Sequence, residues 1–422
     1  MVTDLETWTY PVLYARFAGL FDGKKPWMKV VADLQLQIRA NPYSQPQIER
    51  ENRISYGLAA FDRIGLDGAG SAEWPDVAVA MGFVAQVLTI IDQAAVEKGR
   101  KAYIGRIRGA FANPSEIRAI RFEHLTAVAL FRQGARIDWP ELMGGPDRFD
   151  ILATDRHGTA VEVECKSCSP DKGRAITESE ANQFFPHLIE RLAPLTSPGS
   201  AIMVKVRVPK RLPRSPESLG ALADEIVPAL KAGVSMTATG VQLESRQSSS
   251  SMVFLVREPD RITERFNSQV SQVFGHPGGH RALAFNPEKE TAICVEVCSE
   301  QTASFFSATW ETVKHAIRNQ MTKTRPGCLV LRVEGIGKEA LEDFLQEQPN
   351  TLTLFAEKVF SDPRHQHLAC LAYISDETMN ETSPGSMTPQ SCTYVLDRKE
   401  GPYAGLRIGH NLLGPYKDIH DS

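Results

Sequence analysis

Residues 147–166, DRFDILATDRHGTAVEVECK, constrain this chain more than any other stretch. Apolar and β-branched residues flank the polar tripeptide Arg156-His157-Gly158, a pattern that predicts a hairpin with strands over 150–155 and 159–166. Side chains alternate between the faces of a strand, so Glu162, Glu164 and Lys166 point one way and Val161, Val163 and Cys165 the other. With the turn centred on His157, Asp150 lies opposite Glu164, because pairing register is constant along a hairpin. Two carboxylates and a lysine then meet at one end of a sheet, the donor set of a divalent-cation site.

Composition bounds the class of protein. A chain of 422 residues exceeds one ordinary domain and, at about 150 residues per domain, divides into two or three. Its 42% hydrophobic and 23% charged residues are those of a globular protein. The net charge of −4 supplies no global basic field, so nucleic-acid binding would need a local patch. The first residues, MVTDLETWTY, lack the basic and apolar regions of a signal peptide. The longest apolar run, 77–91, contains Gln86 and falls short of the roughly 20 residues that span a bilayer, so a buried helix and no membrane partner are expected. Seven scattered cysteines point to reduced thiols and a cytoplasmic location. Cys165, Cys168, Cys294 and Cys298 have a spacing open to zinc. Cys165, Cys294 and Cys328 lie in apolar strand patterns, however, and read better as small buried hydrophobes.

Along the chain, residues 1–113 read as a helical accessory or oligomerisation region, with helices starting near Pro26 and Pro75. A positive run between Lys98 and Arg121 offers Arg100, Lys101, Arg106 and Arg108 as nucleic-acid-binding candidates, against the alternative of a solvated linker. A helix from Asn113-Pro114, capped by Ser115 and ended by Gly134, carries Glu123 among Ile120, Ala127 and Leu130. A carboxylate on a buried stripe requires a cation, either an arginine or a metal. Residues 114–260 then read as an α/β domain with a mixed sheet covered on both sides. Its later elements are a helix over 178–192 interrupted by Pro186, a strand over 201–208, a helix over 217–230 and a strand over 251–256.

The glycine-rich loop 275–280, with His276 and His280, reads as a linker rather than a metal site. Residues 261–422 form a C-terminal α/β domain: strands over 282–285 and 291–297, a helix over 304–321, a strand over 328–333, a helix over 338–346 and a strand over 368–374. A loop over 379–392 and a hairpin around Lys399-Glu400-Gly401 follow. The segment TAICVEVC at 291–298 echoes TAVEVEC at 159–165 without a matching lysine. This is either a degenerate nuclease-like duplication or the common composition of two buried strands.

Asp150, then Glu164-Cys165-Lys166 on the following strand, behind a helix bearing Glu123, resemble the PD-(D/E)XK nuclease superfamily with its restriction-endonuclease-like fold. The string VECKS is most similar to Mrr-like and related prokaryotic nuclease domains. The resemblance covers residues 114–260. It implies a central mixed sheet flanked by helices, and Mg²⁺ or Mn²⁺ held by Asp150, Glu164 and the Cys165 carbonyl. Glu123 would reach the ion directly or through water. Lys166 would orient or help deprotonate the attacking water. Gln183 resembles a glutamine that some members place near the metal, with Asn182, Glu180 and simple exposure as competing explanations; Glu162 shares the face of Glu164 and reads either as a group behind the ligands or as merely exposed at the sheet edge. The literal Pro-Asp pair is Pro146-Asp147, but register favours Asp150 as the acid and leaves Asp147 as turn chemistry. The expected function is metal-dependent hydrolysis of phosphodiester bonds in nucleic acid, DNA ahead of RNA, in restriction, repair or phage defence, with a homodimer in prospect. The alternative is a catalytically inactive nuclease-fold binding or scaffold protein.

Overall fold

The computed structural model describes residues 1–414 except 95, 144–146, 170, 249–269, 276–277, 287, 303–304, 347–349, 377 and 384–385. In chain order the described strands are β1 (Leu5–Glu6), β2 (Arg136–Asp138), β3 (Ile151–Thr154), β4 (Ala160–Cys168), β5 (Ala201–Val208), β6 (Gln242–Ser248), β7 (His280–Asn286), β8 (Thr291–Ser299), β9 (Gly327–Val333), β10 (Leu368–Ile374), β11 (Thr378–Ser383), β12 (Ser386–Gln390) and β13 (Thr393–Asp397). With the helices they make two compact units. One comprises Met1–Asp33, Glu49–Pro170 and Phe306–Ser422; the other comprises Leu34–Ile48 and Asp171–Phe305.

The first unit is built on a six-stranded mixed sheet in the order β13-β10-β9-β4-β3-β2. β4, β9 and β10 run parallel, and β3, β2 and β13 run antiparallel to their neighbours. Alternation gives each face its own core. Val161, Val163 and Cys165 join Cys328 and Val330 against the helices Trp74–Gln93 and Pro114–Arg132. On the other face Leu329, Leu331, Leu371 and Tyr373 pack with Val313 and Ile317 of the helix Phe305–Asn319. The architecture is α/β with helices on both faces.

The β3-β4 turn follows from its sequence. Asp155 Oδ1 accepts the backbone N–H groups of His157 and Thr159, each at 2.8 Å, and Gly158 takes φ 85°, a conformation that suits glycine. This fixes the ladder with Ile151 opposite Val163 and Leu152 opposite Glu162. Asp150, one residue before Ile151, therefore falls in register with Glu164, as the sequence implies.

Assembly departs from the three consecutive segments expected. Residues 1–113 are not a separate accessory region. Phe17, Trp27 and Phe111 cluster with ring centroids 5.6–6.4 Å apart, in the same core as β4. Nor does a domain close near 260. The parallel neighbour of β4 is β9, not residues 201–208. After Cys168 the chain leaves this sheet, builds most of the second unit and returns through the helix Phe305–Asn319, where Thr309 Oγ1 stands 3.9 Å from Cys168 Sγ. Residues 201–208 and 327–333 are both short apolar runs, and periodicity alone does not choose between them as partners.

The second unit has a four-stranded sheet, β6-β5-β8-β7, with β5 and β8 parallel. The helices Glu178–Leu192 and Pro216–Lys231 cover one face. The first of these is opened by a Thr177–Glu180 capping box and runs on through Pro186. The loop read as a linker lies inside this unit. A Cβ at Gly279 would sit 2.0 Å from the Val297 carbonyl oxygen, so glycine there permits close approach rather than flexibility. The strand expected over 251–256 and His276 lie outside the described residues.

Two further corrections concern the C-terminal part. β11 and β12 pair antiparallel and are joined by β1, where a loop was expected. After β13 the chain makes the helix Ile408–Leu413 instead of a hairpin. Asp397 accepts the N–H groups of Gly409 and His410 at 2.6 and 3.1 Å at its start. The helix Trp74–Gln93 is the one described helix long and apolar enough to cross a membrane, and it is the central helix of the first unit's core, mostly buried.

Candidate active site

The site is assembled by the start of β3, the second half of β4 and the helix Pro114–Arg132. Asp150 immediately precedes β3, and its Oδ2 accepts the Cys165 N–H at 2.7 Å, which ties the carboxylate to β4. Glu164 is fully buried. Its Oε1 accepts from the Lys166 ammonium two residues along the same face, and its Oε2 has no hydrogen-bond partner among the described residues. The helix bearing Glu123 is capped by Asn113, whose side chain accepts from Ser115 N–H; the sequence had suggested Ser115 itself. Glu123 is 6% exposed and receives the Arg106 guanidinium as a fork, at 2.8 and 3.0 Å. Its required cation is thus an arginine. The same Arg106 also donates to Glu116 at 2.8 Å and Glu141 at 2.9 Å.

The three carboxylates act on one another. Burial pushes Glu123 up to about 7, and Asp150 adds to the rise. Asp150 is likewise pushed up to about 7 by burial and then by Glu164. Glu164 also reaches about 7 through burial, with Glu123 contributing, even though Lys166 opposes the shift. Burial alone would lower Lys166, but Glu164 and Asp150 outweigh it and hold the ammonium above its ordinary value. Three acids titrating near neutrality beside one lysine mark a place short of positive charge. Among the described residues no three His, Cys, Asp or Glu side chains stand preassembled in ligating geometry, because Glu123 is turned to Arg106 and Glu164 to Lys166. The donor set is nonetheless all oxygen and suits a hard divalent cation, with Glu164 Oε2 a buried acceptor still to be satisfied.

Other residues expected at the site are placed elsewhere. Glu162 is fully buried rather than exposed, and its carboxylate accepts from Thr322 N–H at 2.7 Å and from the Thr322 hydroxyl, with Arg325 at 3.6 Å. It anchors the loop that leads into β9. Asp147 pairs with the same Arg325 at 3.3 Å and takes no part in the carboxylate cluster. Gln183 is exposed on a helix of the second unit and does not follow β4 within the first. The helix returning to the sheet ahead of β9 is Phe305–Asn319.

The basic run divides in the same way. Arg106 is an internal hub and not a free phosphate contact. Arg100 and Lys101 are exposed near Glu97, at 3.8 and 3.7 Å, and Arg108 lies over the Phe21 ring at 5.8 Å. Arg106 falls three residues from buried Tyr103 and four from buried Ala110, so helical spacing places it on the inner stripe of Glu97–Ala110. That was the signal available for its role. The cysteines are all free. Cys165, Cys294 and Cys328 are buried, as the small-hydrophobe reading expects; Cys168 and Cys298 are buried as well.

The echoed strand is β8. It too is the second strand of a hairpin with a parallel neighbour on its other side, and Glu296 stands where Glu164 does in β4. Glu296 is fully buried, but Lys205 at 3.3 Å and Arg281 at 2.6 Å surround it with positive charge, and the described contacts bring no second carboxylate to it. It is an internal ion cluster. No protein-family model, curated protein or solved structure matches this chain.

Proposed function

We propose that the protein is a divalent-metal-dependent nuclease of restriction-endonuclease-like design, acting in the cytoplasm, with DNA the expected substrate and restriction, repair or phage defence the setting. The observation that carries this reading is the meeting of Asp150, Glu164 and Glu123, each pushed to about 7, beside Lys166. The element order supports it: a helix with Glu123, the β3-β4 hairpin, the Glu164-Cys165-Lys166 strand, then a helix and the parallel strand β9. This is the order the sequence resemblance implies, with the second unit inserted after the motif strand.

Asp150 and Glu164 would hold Mg²⁺ or Mn²⁺, and Glu123, which Arg106 now holds, would act on the ion directly or through water. The ion, when bound, would supply a water of lowered pKa and polarise a phosphoryl oxygen. Lys166, kept charged by Glu164 and Asp150, acts as a cation that orients a water lone pair and offsets negative charge growing on the phosphoryl oxygens. A proton-accepting role does not suit an amine whose charged form is stabilised. Arg106 fixes the Glu123 carboxylate through two parallel hydrogen bonds, which limits its motion around the site.

The test is incubation of purified protein with plasmid, linear single-stranded DNA and RNA in Mg²⁺ or Mn²⁺. Cleavage is expected, lost in EDTA and reduced at least about 100-fold by Lys166→Ala or Asp150→Ala, as loss of a group stabilising the transition state costs. Absence of cleavage on every substrate, or variants as active as the wild type, would instead favour the inactive binding or scaffold protein.

A further inference from the structure

At the carboxyl ends of β4 and β9, within the first unit, lies a cavity of about 90 Å³ lined by Arg50, Arg53, Arg118, Arg121 and Arg332. Three carboxylates, Glu51, Glu334 and Asp376, share its wall, and Arg332 stands 3.9 Å from Glu334 and 3.7 Å from Asp376. The arginines are held in place. Arg118 pairs with Glu334 at 3.2 Å and Glu51 at 3.6 Å, and Arg53 with Asp76 at 2.7 Å. Arg332 is 4% exposed, lies 4.7 Å over the Phe122 ring and donates to Ser167 Oγ at 3.1–3.2 Å. Ser167 follows Lys166, and Arg332 is its cross-strand partner, so by alternation the cavity lies at the end of β4 on the sheet face toward the helix Pro114–Arg132, opposite the face that carries the Lys166 side chain.

We propose that this cavity binds a phosphate group of the substrate. Planar guanidinium forks match tetrahedral oxyanions, and several oriented before binding lose little freedom on engaging one. The volume is below the roughly 150 Å³ of a cavity that admits a benzene ring, which suits a phosphoryl group better than a nucleoside. The position fits as well, since ligands of open α/β sheets gather at the carboxyl ends of parallel strands, where the strand order turns. Here the parallel run β10-β9-β4 ends against antiparallel β3. That the phosphate belongs to nucleic acid rests on the nuclease reading; phosphate binding itself does not.

The experiment titrates the full-length protein in EDTA with inorganic phosphate at constant ionic strength, read by thermal shift and calorimetry. Phosphate should stabilise the wild type and Asp150→Asn alike. Arg332→Met, and independently Arg53→Gln with Arg118→Gln at the more exposed wall, should weaken phosphate on the order of tenfold, as loss of a charged hydrogen bond does. A wild type indifferent to phosphate, or arginine variants that bind it unchanged, would overturn the proposal, whatever the cleavage assay gives. Oligonucleotides with a 5′-phosphate or a 5′-hydroxyl then assign the source. Tighter binding of the phosphorylated end identifies a terminal monoester, and equal binding that still depends on the arginines identifies an internal phosphodiester. Binding of both that is unaffected by the arginine variants would count against the cavity.

Discussion

At the scale of single residues, the site stores electrostatic cost. Asp150 and Glu164 have ordinary values of 3.8 and 4.5 and are pushed up to about 7 in the fold. The native state therefore keeps protons that the unfolded chain has already released. Stability contributed in this way is fully present below about pH 4 and is lost as pH rises through about 7. In EDTA, the melting temperature should fall between pH 5 and pH 8, roughly within that window. Asp150→Asn should raise the pH 8 melting temperature by roughly 2–5 °C while abolishing cleavage, because the amide oxygen still accepts the Cys165 N–H without adding charge. A variant that melts lower than the wild type at pH 8 would argue that Asp150 is not under repulsion. Arg106→Met should do the opposite. It leaves Glu123 buried without its fork and should cost about 3–5 kcal/mol in denaturant unfolding, part of it recovered by adding Glu123→Gln. Residue chemistry was largely legible in the sequence. The lone carboxylate on an apolar helix face announced that Glu123 needed a cation. That the cation is Arg106 depends on how two helices pack, which spacing only hints at.

At the scale of elements, the β3-β4 hairpin sets the register, and register puts Asp150 rather than Asp147 opposite Glu164. Asp155 and Gly158 made this readable, since an Asx turn and a positive φ leave one way to close the loop. Gly158→Ala should destabilise the protein by about 1–2 kcal/mol, the cost of forcing a Cβ into left-handed backbone, with open space around it and no clash to add. A neutral result would show that the turn does not hold the register. Strand partners were not readable. β5 and β9 are both short and largely apolar, and the one that pairs with β4 is the more distant in sequence, with Gly327 opposite Glu162 in register. Likewise, Glu162 looked like a companion of Glu164 by alternation, but the Thr322 loop that it caps comes from a part of the chain no local pattern connects to it.

For the whole molecule, the account is of a sheet interrupted by an insertion. The departure at Cys168 and the return at Thr309 lie side by side, the geometry expected where one unit is inserted into another. The second unit also takes Leu34–Ile48, through Asn41 Nδ2 donating to the Asn182 carbonyl at 2.7 Å and Asn182 Nδ2 donating to Gln47 at 2.8 Å. Replacing 171–304 by a short Gly/Ser linker should leave a folded first unit whose divalent-cation response survives, at the cost of exposing Tyr43. Collapse of that variant to an unfolded chain would contradict the division. Order along the chain gave the elements of both units but not the insertion, because only long-range pairing reveals where a sheet resumes.

The central claim is that Asp150 and Glu164 form a divalent-cation site, and direct titration of Mn²⁺ into the purified protein, by calorimetry and electron paramagnetic resonance, tests it most directly. The account predicts binding at pH 8 that weakens sharply toward pH 5 as the acids near 7 take up protons, and that is lost in Asp150→Asn and Glu164→Gln. Failure of the wild type to bind Mn²⁺ at pH 8, or equal binding by both variants, would contradict it.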